Sequence, residues 1–212
     1  ALRGVRVRAR AMAAQPRGAM AAVRAAAETV EPRLPTGLEI AALNAPALCV
    51  VAGPEAALEA WLASSAAEGL EATRLKVSHA FHSAAMEPAM APLREAMAGA
   101  SFRPAGATLY ACASGRPHDA SSLCDPDYWA RQLRLPVRFA EAIRHAAGEG
   151  DAVFVELGPG QALSALVRQM RDAREAPLRG VPLLPAAGRE APAWPHALEA
   201  LGKLWSHGVD LD

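Results

Sequence analysis

The order of short apolar runs in residues 17–78 constrains the fold of this chain more than any other feature of its sequence. Four runs have the apolar content of strands, and two intervening segments have the character of helices. The strand runs are GAMAAVRA, LEIAALN, ALCVVAG and EATRLKVS. Because their order with the helices is βαββαβ, residues 17–78 are predicted to form a split βαβ, or ferredoxin-like, subdomain.

Proline and glycine residues mark the ends of several of these elements. Ala45-Pro46 separates the second and third strand runs, which is typical of a hairpin break. Gly53-Pro54 opens the second helix and Gly69 closes it. The small subdomain is therefore predicted to contain a central hairpin followed by a well-defined helix.

From residue 79 onwards, helices alternate with single strands. A helix is predicted over about residues 84–98, where Met86, Met90, Leu93 and Met97 recur at helical spacing, as packing into a core requires. ATLYACA and AVFVEL are predicted to be buried strands, with a helix from Phe139 to Ala147 between them. Near-continuous apolar strands alternating with helices predict a parallel sheet that is covered on both sides.

These patterns divide the chain into four parts. Residues 1–16 form a helix and residues 79–176 the remainder of a large α/β subdomain, while residues 17–78 form the small subdomain between them. Residues 177–195 are rich in Pro, Ala and Gly, which is typical of a linker. An amphipathic helix follows within 177–212, with Leu198, Leu201, Leu204 and Trp205 on one face, and that face needs a surface on which to dock.

The composition excludes several classes of function. The 22 basic and 22 acidic residues balance, so the chain is not expected to bind nucleic acid or an acidic membrane. The apolar runs are far shorter than the ~20 residues that cross a bilayer, so no membrane span is expected. Three cysteines without CxxC spacing indicate free thiols in a reducing cytosol, and the abundance of Ala, Arg, Pro and Gly suggests a bacterial source.

Two histidines three positions apart, His79 and His82, are the most informative candidates for chemistry. They lie in the string VSHAFHS, where the small subdomain returns to the large one. They could be metal ligands, general bases or structural residues. A metal site is disfavoured, because no third ligand has a recognisable spacing and there is no HExxH pattern. The residues alone leave the catalytic and structural roles open.

The string SHAFHSAAMEP resembles the HAFH signature of the acyltransferase domains of modular polyketide synthases. The resemblance extends to GAMAAV, the Asn44-Ala45-Pro46 break, CVVAGP, YWARQLRLPVRF and VELGPGQAL, which have the order and spacing of that family over residues 1–176. It implies an α/β-hydrolase-like parallel-sheet subdomain, present in part, with an inserted ferredoxin-like βαββαβ subdomain. The amphipathic tail is similar to the linker that follows such domains.

The resemblance also implies acyl transfer by a ping-pong route through a Ser-His dyad. The nucleophile of the family lies in GHSxG, a sharp turn between a strand and a helix. This chain contains no GHSxG motif, so the serine is expected to lie outside it. The chain by itself is therefore expected to be inactive.

Three positions match residues to which the family gives a role in catalysis or in binding the carboxylate. His82 matches the general base, and Gln132 matches the position whose main-chain carbonyl holds the other ring nitrogen of that histidine. Arg8, in VRARAM where the family usually has ARGRLM, matches the arginine that binds the free carboxylate of the extender unit. A guanidinium suits that task because it forms two parallel hydrogen bonds with a carboxylate.

Three further positions, His79, Ala80 and Phe81, match those that select the acyl group. The bulky Phe81 implies a malonyl-selective domain, since a smaller residue accompanies methylmalonyl groups in the family. The turn Gly158-Pro159-Gly160 either shapes the pocket wall or is a plain turn between a strand and a helix.

The function implied is the loading of malonate from malonyl-CoA onto the phosphopantetheine arm of an acyl carrier protein, with no bound cofactor. The expected partners are that carrier protein and the ketosynthase and linker regions of the same synthase, in the cytoplasm of a bacterium. Two alternatives stay open. One is a free-standing malonyl-CoA:acyl-carrier-protein transacylase, and the other is a catalytically inactive scaffold or docking module.

Overall fold

A computed structural model describes residues 2–103, 106–118, 121–148, 150–171, 175–186 and 193–211. The chain forms two compact units, Ala1–Ala142 and Ile143–Asp212. This division differs from the predicted boundaries at residues 78 and 176. The first unit includes both the four-stranded sheet and the loop that carries the two histidines.

The elements of the first unit are α1 (Leu2–Ala13), β1 (Ala19–Val23), α2 (Ala27–Val30), β2 (Glu39–Ala45), β3 (Leu48–Gly53), α3 (Glu55–Ala67), β4 (Ala72–Arg74), α4 (Met90–Ala98), β5 (Leu109–Ala111), β6 (Arg116–His118), α5 (Pro126–Arg131) and α6 (Phe139–Ala147). They follow the predicted order as far as α4, and β6 and α5 were not predicted. The boundary between the two units falls within α6. Helix α6 has the limits that the sequence predicted.

The first four strands form one antiparallel sheet in the order β2-β3-β1-β4. This is the sheet of a ferredoxin-like fold, which confirms the fold predicted from the βαββαβ pattern. One face packs on α2 and α3 through a core that includes Val23, Val51, Leu58 and Trp61. The other face carries a second apolar cluster that includes Ala80, from the loop after β4.

The predicted helix over residues 84–98 consists of two parts. Ala84–Ala89 form a 3-10 helix with Pro88 inside it, and α4 begins only at Met90. Proline lacks the N–H that a continuous α-helix needs, so the first turns adopt the tighter form. Met86 and Leu93 are buried as predicted, in a cluster against which Met12 of α1 also packs.

ATLYACA was predicted to be a buried strand of the parallel sheet, and this prediction was wrong. Only Leu109–Ala111 form a strand, which pairs antiparallel with β6 in a two-stranded sheet. The chain reverses at once because the N–H groups of Ser114 and Gly115 both donate to the carbonyl of Ala111, and Gly115 adopts a positive φ of 70°. Leu109 is accordingly exposed.

The second unit contains β7 (Val153–Pro159), α7 (Ala162–Val167), β8 (Arg179–Leu184) and α8 (Ala193–Ser206). Strands β7 and β8 are parallel, and α7 connects them. This pair confirms that the chain carries part of a parallel α/β subdomain. At the start of α7 the backbone N–H groups of Leu163 and Ser164 donate to the carboxylate of Glu156 on β7.

The segment predicted to be a linker differs from that prediction. Residues 179–184 form β8, and a Cβ placed on Gly180 would lie 2.7 Å from the carbonyl oxygen of Ser164, so glycine is needed for α7 to pack here. Gly180 therefore reflects close packing rather than flexibility. Residues 187–192, also within the predicted linker, lie outside the described residues.

Helix α8 docks on β8 with a narrower face than the one predicted. Ala200 and Leu204 are buried in a cluster with Val181. Leu198, Leu201 and Trp205, predicted to lie on the docking face, are exposed. Among the helices that the structure describes, none has both the length and the apolar character needed to cross a bilayer.

Candidate active site

The loop between β4 and the 3-10 helix carries both histidines, and it is fixed against the start of β1. The N–H of Gly18 donates to the carbonyl of Ser78. A Cβ on Gly18 would lie 2.8 Å from the nitrogen and the Cβ of Ala80, closer than atoms tolerate. Ala80 itself is only 1% exposed. Glycine at position 18 therefore lets the loop approach the sheet, and Ala80 anchors it there.

His82 has a left-handed backbone conformation, with φ of 58°. Such a conformation is uncommon for a residue with a side chain and persists only where its surroundings enforce it. The next residue supplies that enforcement, since the buried Ser83 hydroxyl donates to the carbonyl of Ala80 at 2.7 Å and accepts from the N–H of Ala85 at 3.3 Å. Ser83 thereby caps the 3-10 helix and fixes the backbone from which the side chain of His82 projects.

The imidazole of His82 is held by the main chain of a distant segment. Its Nδ1 lies 2.9 Å from the carbonyl oxygen of Leu135. A carbonyl can only accept, so Nδ1 carries the proton and the lone pair of the neutral ring lies on Nε2. Burial lowers the pKa of His82 below its ordinary value, the carbonyls of Leu135 and Gln132 oppose this, and the positive charge of Arg8 adds to it. The net effect is a lowered pKa, so the ring is neutral near pH 7.

The hydrogen bond that the sequence assigned to Gln132 is made by Leu135. The Gln132 carbonyl has only the weaker influence on the pKa of His82. Pro136 is the sequence feature that could have identified Leu135, because a residue that precedes proline is driven out of the helical conformation. The Leu135 carbonyl thus leaves the helical turn after α5 and is available to a side chain.

Arg8 lies on α1, and its neighbours on the same helix face explain its position. Ala11 and Met12, three and four residues further along, pack against the cluster of Met86 and Leu93. Arg8 is half-buried, and its Nε has no hydrogen-bond partner among the residues that the structure describes. Its charge reaches His82, since it contributes to the lowered pKa of that residue. Phe81, the residue before His82, packs against the same cluster, so α1 and the histidine loop meet there.

The other three predicted site residues have different environments. The Nδ1 of His79 lies 2.7 Å from the hydroxyl of Ser78, and its ring lies 5.8 Å, centroid to centroid, from that of Phe81. Phe81 is half-buried and packs against two apolar clusters, those of Ala80 and of Met86. Ala80 packs into the core of the sheet and is not open to solvent.

Three charged residues near the site were missed by the sequence interpretation. Arg134, directly before Leu135, forms ion pairs with Glu39 of β2 and with Glu87. No spacing in the sequence relates these three charges, because they come from three separate segments.

The turn Gly158-Pro159-Gly160 belongs to the second unit, and its role at the site stays a prediction.

A ferredoxin-like sheet that bears a histidine loop anchored by the buried Ala80 and Ser83, together with a parallel α/β part, defines the class of acyltransferase domains. The model of the acyl transferase domain family matches residues 1–209, and the chain belongs to that family. It is 41% identical over 200 residues to polyketide synthase GfsA of Streptomyces halstedii. It is 33% identical over 216 residues to one of the subunits of the phenolphthiocerol/phthiocerol polyketide synthase of Mycobacterium tuberculosis.

Solved structures agree with these sequence relatives. The acyltransferase domain from the second module of the salinomycin polyketide synthase superposes with a TM-score of 0.87 at 33% identity, covering 99% of this chain and 49% of that one. The two curated relatives are matched over 92% and 100% of this chain but only 3% and 14% of their own length. The chain thus spans about half of the solved domain and a small part of each synthase.

Proposed function

We propose that this chain is the part of a polyketide synthase acyltransferase domain that supplies the general base and the carboxylate-binding residue for malonyl transfer. The reaction moves malonate from malonyl-CoA to a serine and then to the phosphopantetheine thiol of an acyl carrier protein. The observation that carries the proposal is the hydrogen bond from His82 to the Leu135 carbonyl, because it presents a neutral imidazole with Nε2 as the base.

The same nitrogen serves both halves of the reaction. In the first, Nε2 removes the proton from the serine hydroxyl while the oxygen attacks the thioester carbonyl, and the CoA thiolate leaves and takes that proton from the imidazolium. In the second, Nε2 removes the proton from the pantetheine thiol while the sulfur attacks the ester carbonyl, and the serine oxygen leaves and takes the proton back from the imidazolium. A base that is neutral near pH 7 suits both steps, and neither step needs a metal or a redox cofactor.

The serine must come from outside this chain, since the chain has no GHSxG motif. The chain alone therefore supplies a base without a nucleophile. The ketosynthase and linker regions of the synthase are the proposed covalent neighbours of the domain, and the carrier protein is its transient partner.

Arg8 is the proposed site for the free carboxylate of the malonyl group. A half-buried guanidinium whose Nε has no partner among the described residues is poised to bind an anion. Ala11 and Met12 of α1 pack against the same cluster as Phe81 of the histidine loop, so an anion on Arg8 would lie near the base. An acetyl group lacks this carboxylate, so Arg8 would favour malonyl over acetyl thioesters.

Phe81 is proposed to limit branching at the α-carbon of the acyl group. Its ring is confined between two apolar clusters, so it cannot move aside at low cost to admit a methyl branch. Exclusion of one methyl group is worth ~1 to 3 kcal/mol, so the preference for malonyl is expected to be partial. His79 and Ala80 are proposed to set the position of Phe81, through the ring contact and the buried anchor respectively.

Single-turnover acylation by malonyl-CoA tests the proposal, in a protein that joins this chain to the serine-bearing half of an acyltransferase domain. His82→Ala is expected to slow both acylation and transfer by ~10² to 10⁴, because both steps need the base. His79→Ala is the matched control, three residues away in the same loop, and should have a much smaller effect. Equal losses from the two variants would show that the base is assigned to the wrong histidine.

A further inference from the structure

The carbonyl that holds His82 belongs to a segment with a side-chain anchor of its own. Arg134, the residue before Leu135, lies between two carboxylates. Its Nη1 is 2.8 Å from Oε2 of Glu39, and its Nε donates to Oε1 of Glu87 at 2.9 Å. Glu39 begins β2, whereas Glu87 lies in the 3-10 helix just after His82. The arginine therefore joins three separate segments at the site.

Glu39 also reaches the loop that carries His82. Its other oxygen, Oε1, accepts the backbone N–H of Ala84 at 3.2 Å. One carboxylate thus contacts the backbone two residues after the base and the side chain one residue before the carbonyl that holds it. The Glu39 carboxylate therefore links the backbone next to His82 with the residue next to Leu135.

Backbone hydrogen bonds hold the Leu135 segment on both sides. The N–H of Val137 donates to Ala41 at 2.9 Å, and the N–H of Leu43 donates to Val137 at 2.8 Å. Pro136, between that pairing and Leu135, has no N–H to donate. On the near side the N–H of Leu135 donates to the carbonyl of Arg131 at 3.0 Å, and the Arg134 side chain adds the link from this turn to Glu39 and Glu87.

These ion pairs are too exposed to contribute much stability. The side chains of Arg134, Glu39 and Glu87 are 29%, 32% and 59% exposed, and water screens the attraction in pairs at such sites. Their geometry matters more, because a catalytic base displaced by about 1 Å loses up to about 10²-fold in rate.

We propose that Glu39 and Arg134 are positioning residues, which hold the Leu135 carbonyl where it keeps the His82 proton on Nδ1. This inference rests on the proposed function, in which Nε2 of His82 is the base. Glu39 and Arg134 lie far from His82 in the sequence, yet they would determine which neutral tautomer His82 adopts.

The test is the tautomer of His82, measured by ¹⁵N NMR of the ring nitrogens in the full chain above the pKa of the imidazole. His82→Gln identifies the signal among those of the six histidines. Wild-type His82 should show one neutral tautomer with the proton on Nδ1. Arg134→Gln, and Glu39→Gln, which keeps an oxygen acceptor for the N–H of Ala84, should both give a mixture of tautomers.

Arg74→Gln is the matched control. Arg74, at the end of β4, also bridges two glutamates, Glu55 and Glu59 of α3. Its replacement therefore removes a similar network without touching the segment of Leu135. An unchanged Nδ1 tautomer in both Arg134→Gln and Glu39→Gln would overturn the proposal, as would an equal change in Arg74→Gln. Recovery of the Nδ1 tautomer in Arg134→Lys, which keeps the charge beside Glu39, would support it.

The rate of malonyl transfer separates this inference from the proposed function. In the protein joined to the serine-bearing half, Arg134→Gln is expected to lower kcat by about 10-fold or more and to leave KM for malonyl-CoA nearly unchanged. If wild-type protein transfers no malonate, the proposed function fails while the tautomer result still decides the positioning role. If wild-type protein is active and Arg134→Gln has the wild-type kcat, the positioning role fails alone.

Discussion

Nδ1 of His82 lies 2.9 Å from the carbonyl oxygen of Leu135, although 53 positions separate the two residues in the chain. The acceptor is a main-chain atom and so has no charge to lose with pH. The tautomer of His82 therefore depends on where the backbone of Leu135 lies. Four predictions concern the loop that meets this carbonyl and the residues around it.

The first prediction concerns pH and stability. Burial lowers the pKa of His82 in the folded chain below the ordinary value of 6.5 that the unfolded chain retains. Above pH 6.5 both states are neutral, and the residue contributes no pH dependence. As the pH falls below 6.5, the unfolded state takes up the proton first, so the folded state loses stability until the pH passes the lowered pKa.

Urea unfolding of the wild-type chain and of His82→Gln at pH 7.5 and pH 5.5 measures this effect. The free energy of unfolding of the wild type should fall more between the two pH values than that of the variant. A difference between the two proteins that is the same at both pH values would contradict the lowered pKa.

The second prediction concerns the buried hydroxyl of Ser83. Ser83→Ala removes the donor to Ala80 and the acceptor for Ala85, and it should destabilise the chain by ~1 to 3 kcal/mol. Ser114→Ala is the matched control, because Ser114 makes the same pair of contacts at 3.4 and 3.3 Å but is exposed, and it should cost about 0.5 kcal/mol or less. Denaturant midpoints compare the two, and similar losses would show that burial of Ser83 is unimportant.

The third prediction concerns the close approach of Gly18 to Ala80. Gly18→Ala places a Cβ 2.8 Å from the Ala80 backbone, and neither the sheet nor the loop can yield without breaking hydrogen bonds. We expect a loss of ~1 to 3 kcal/mol and a shifted His82 NMR signal. Gly99→Ala, where the added Cβ meets no atom within 4 Å, should be close to neutral. An unchanged melting temperature for Gly18→Ala would refute the packing argument.

The fourth prediction separates the two proposed specificity contacts. In competition between malonyl, methylmalonyl and acetyl thioesters, Arg8→Ala should weaken the first two together, since both carry the carboxylate. Phe81→Ser should narrow the gap between malonyl and methylmalonyl by ~1 to 3 kcal/mol without helping acetyl. Arg6→Ala, an exposed arginine on the same helix, is the control and should leave all three unchanged. If Arg8→Ala lost the preference for malonyl over methylmalonyl and Phe81→Ser kept it, the roles assigned to Arg8 and Phe81 would be exchanged.

The ferredoxin-like subdomain could be predicted from the sequence because its information is local. Strand and helix periodicity alternate within residues 17–78, and the turn residues between them mark where each element ends. The same local reasoning failed for ATLYACA, since an apolar run of strand length does not say whether its partner is parallel or antiparallel. The segment of β8 was also interpreted as a linker because it contains glycine and proline, although Gly180 is needed for α7 to pack closely.

His82 and Arg8 were identified as candidates from motifs, which are local as well. Only the tertiary structure decided that the Leu135 carbonyl holds His82. It also decided that Glu39 and Arg134 link the segments of these two residues. Glu39 and Ala84 are 45 positions apart, and Glu87 and Arg134 are 47 positions apart. No periodic pattern relates residues at such distances, because their proximity results from the packing of β2, the histidine loop and the segment after α5 against one another. The motif in the sequence by itself made His82 the proposed base, and the packing of these three segments determined which of its nitrogens is free for that role.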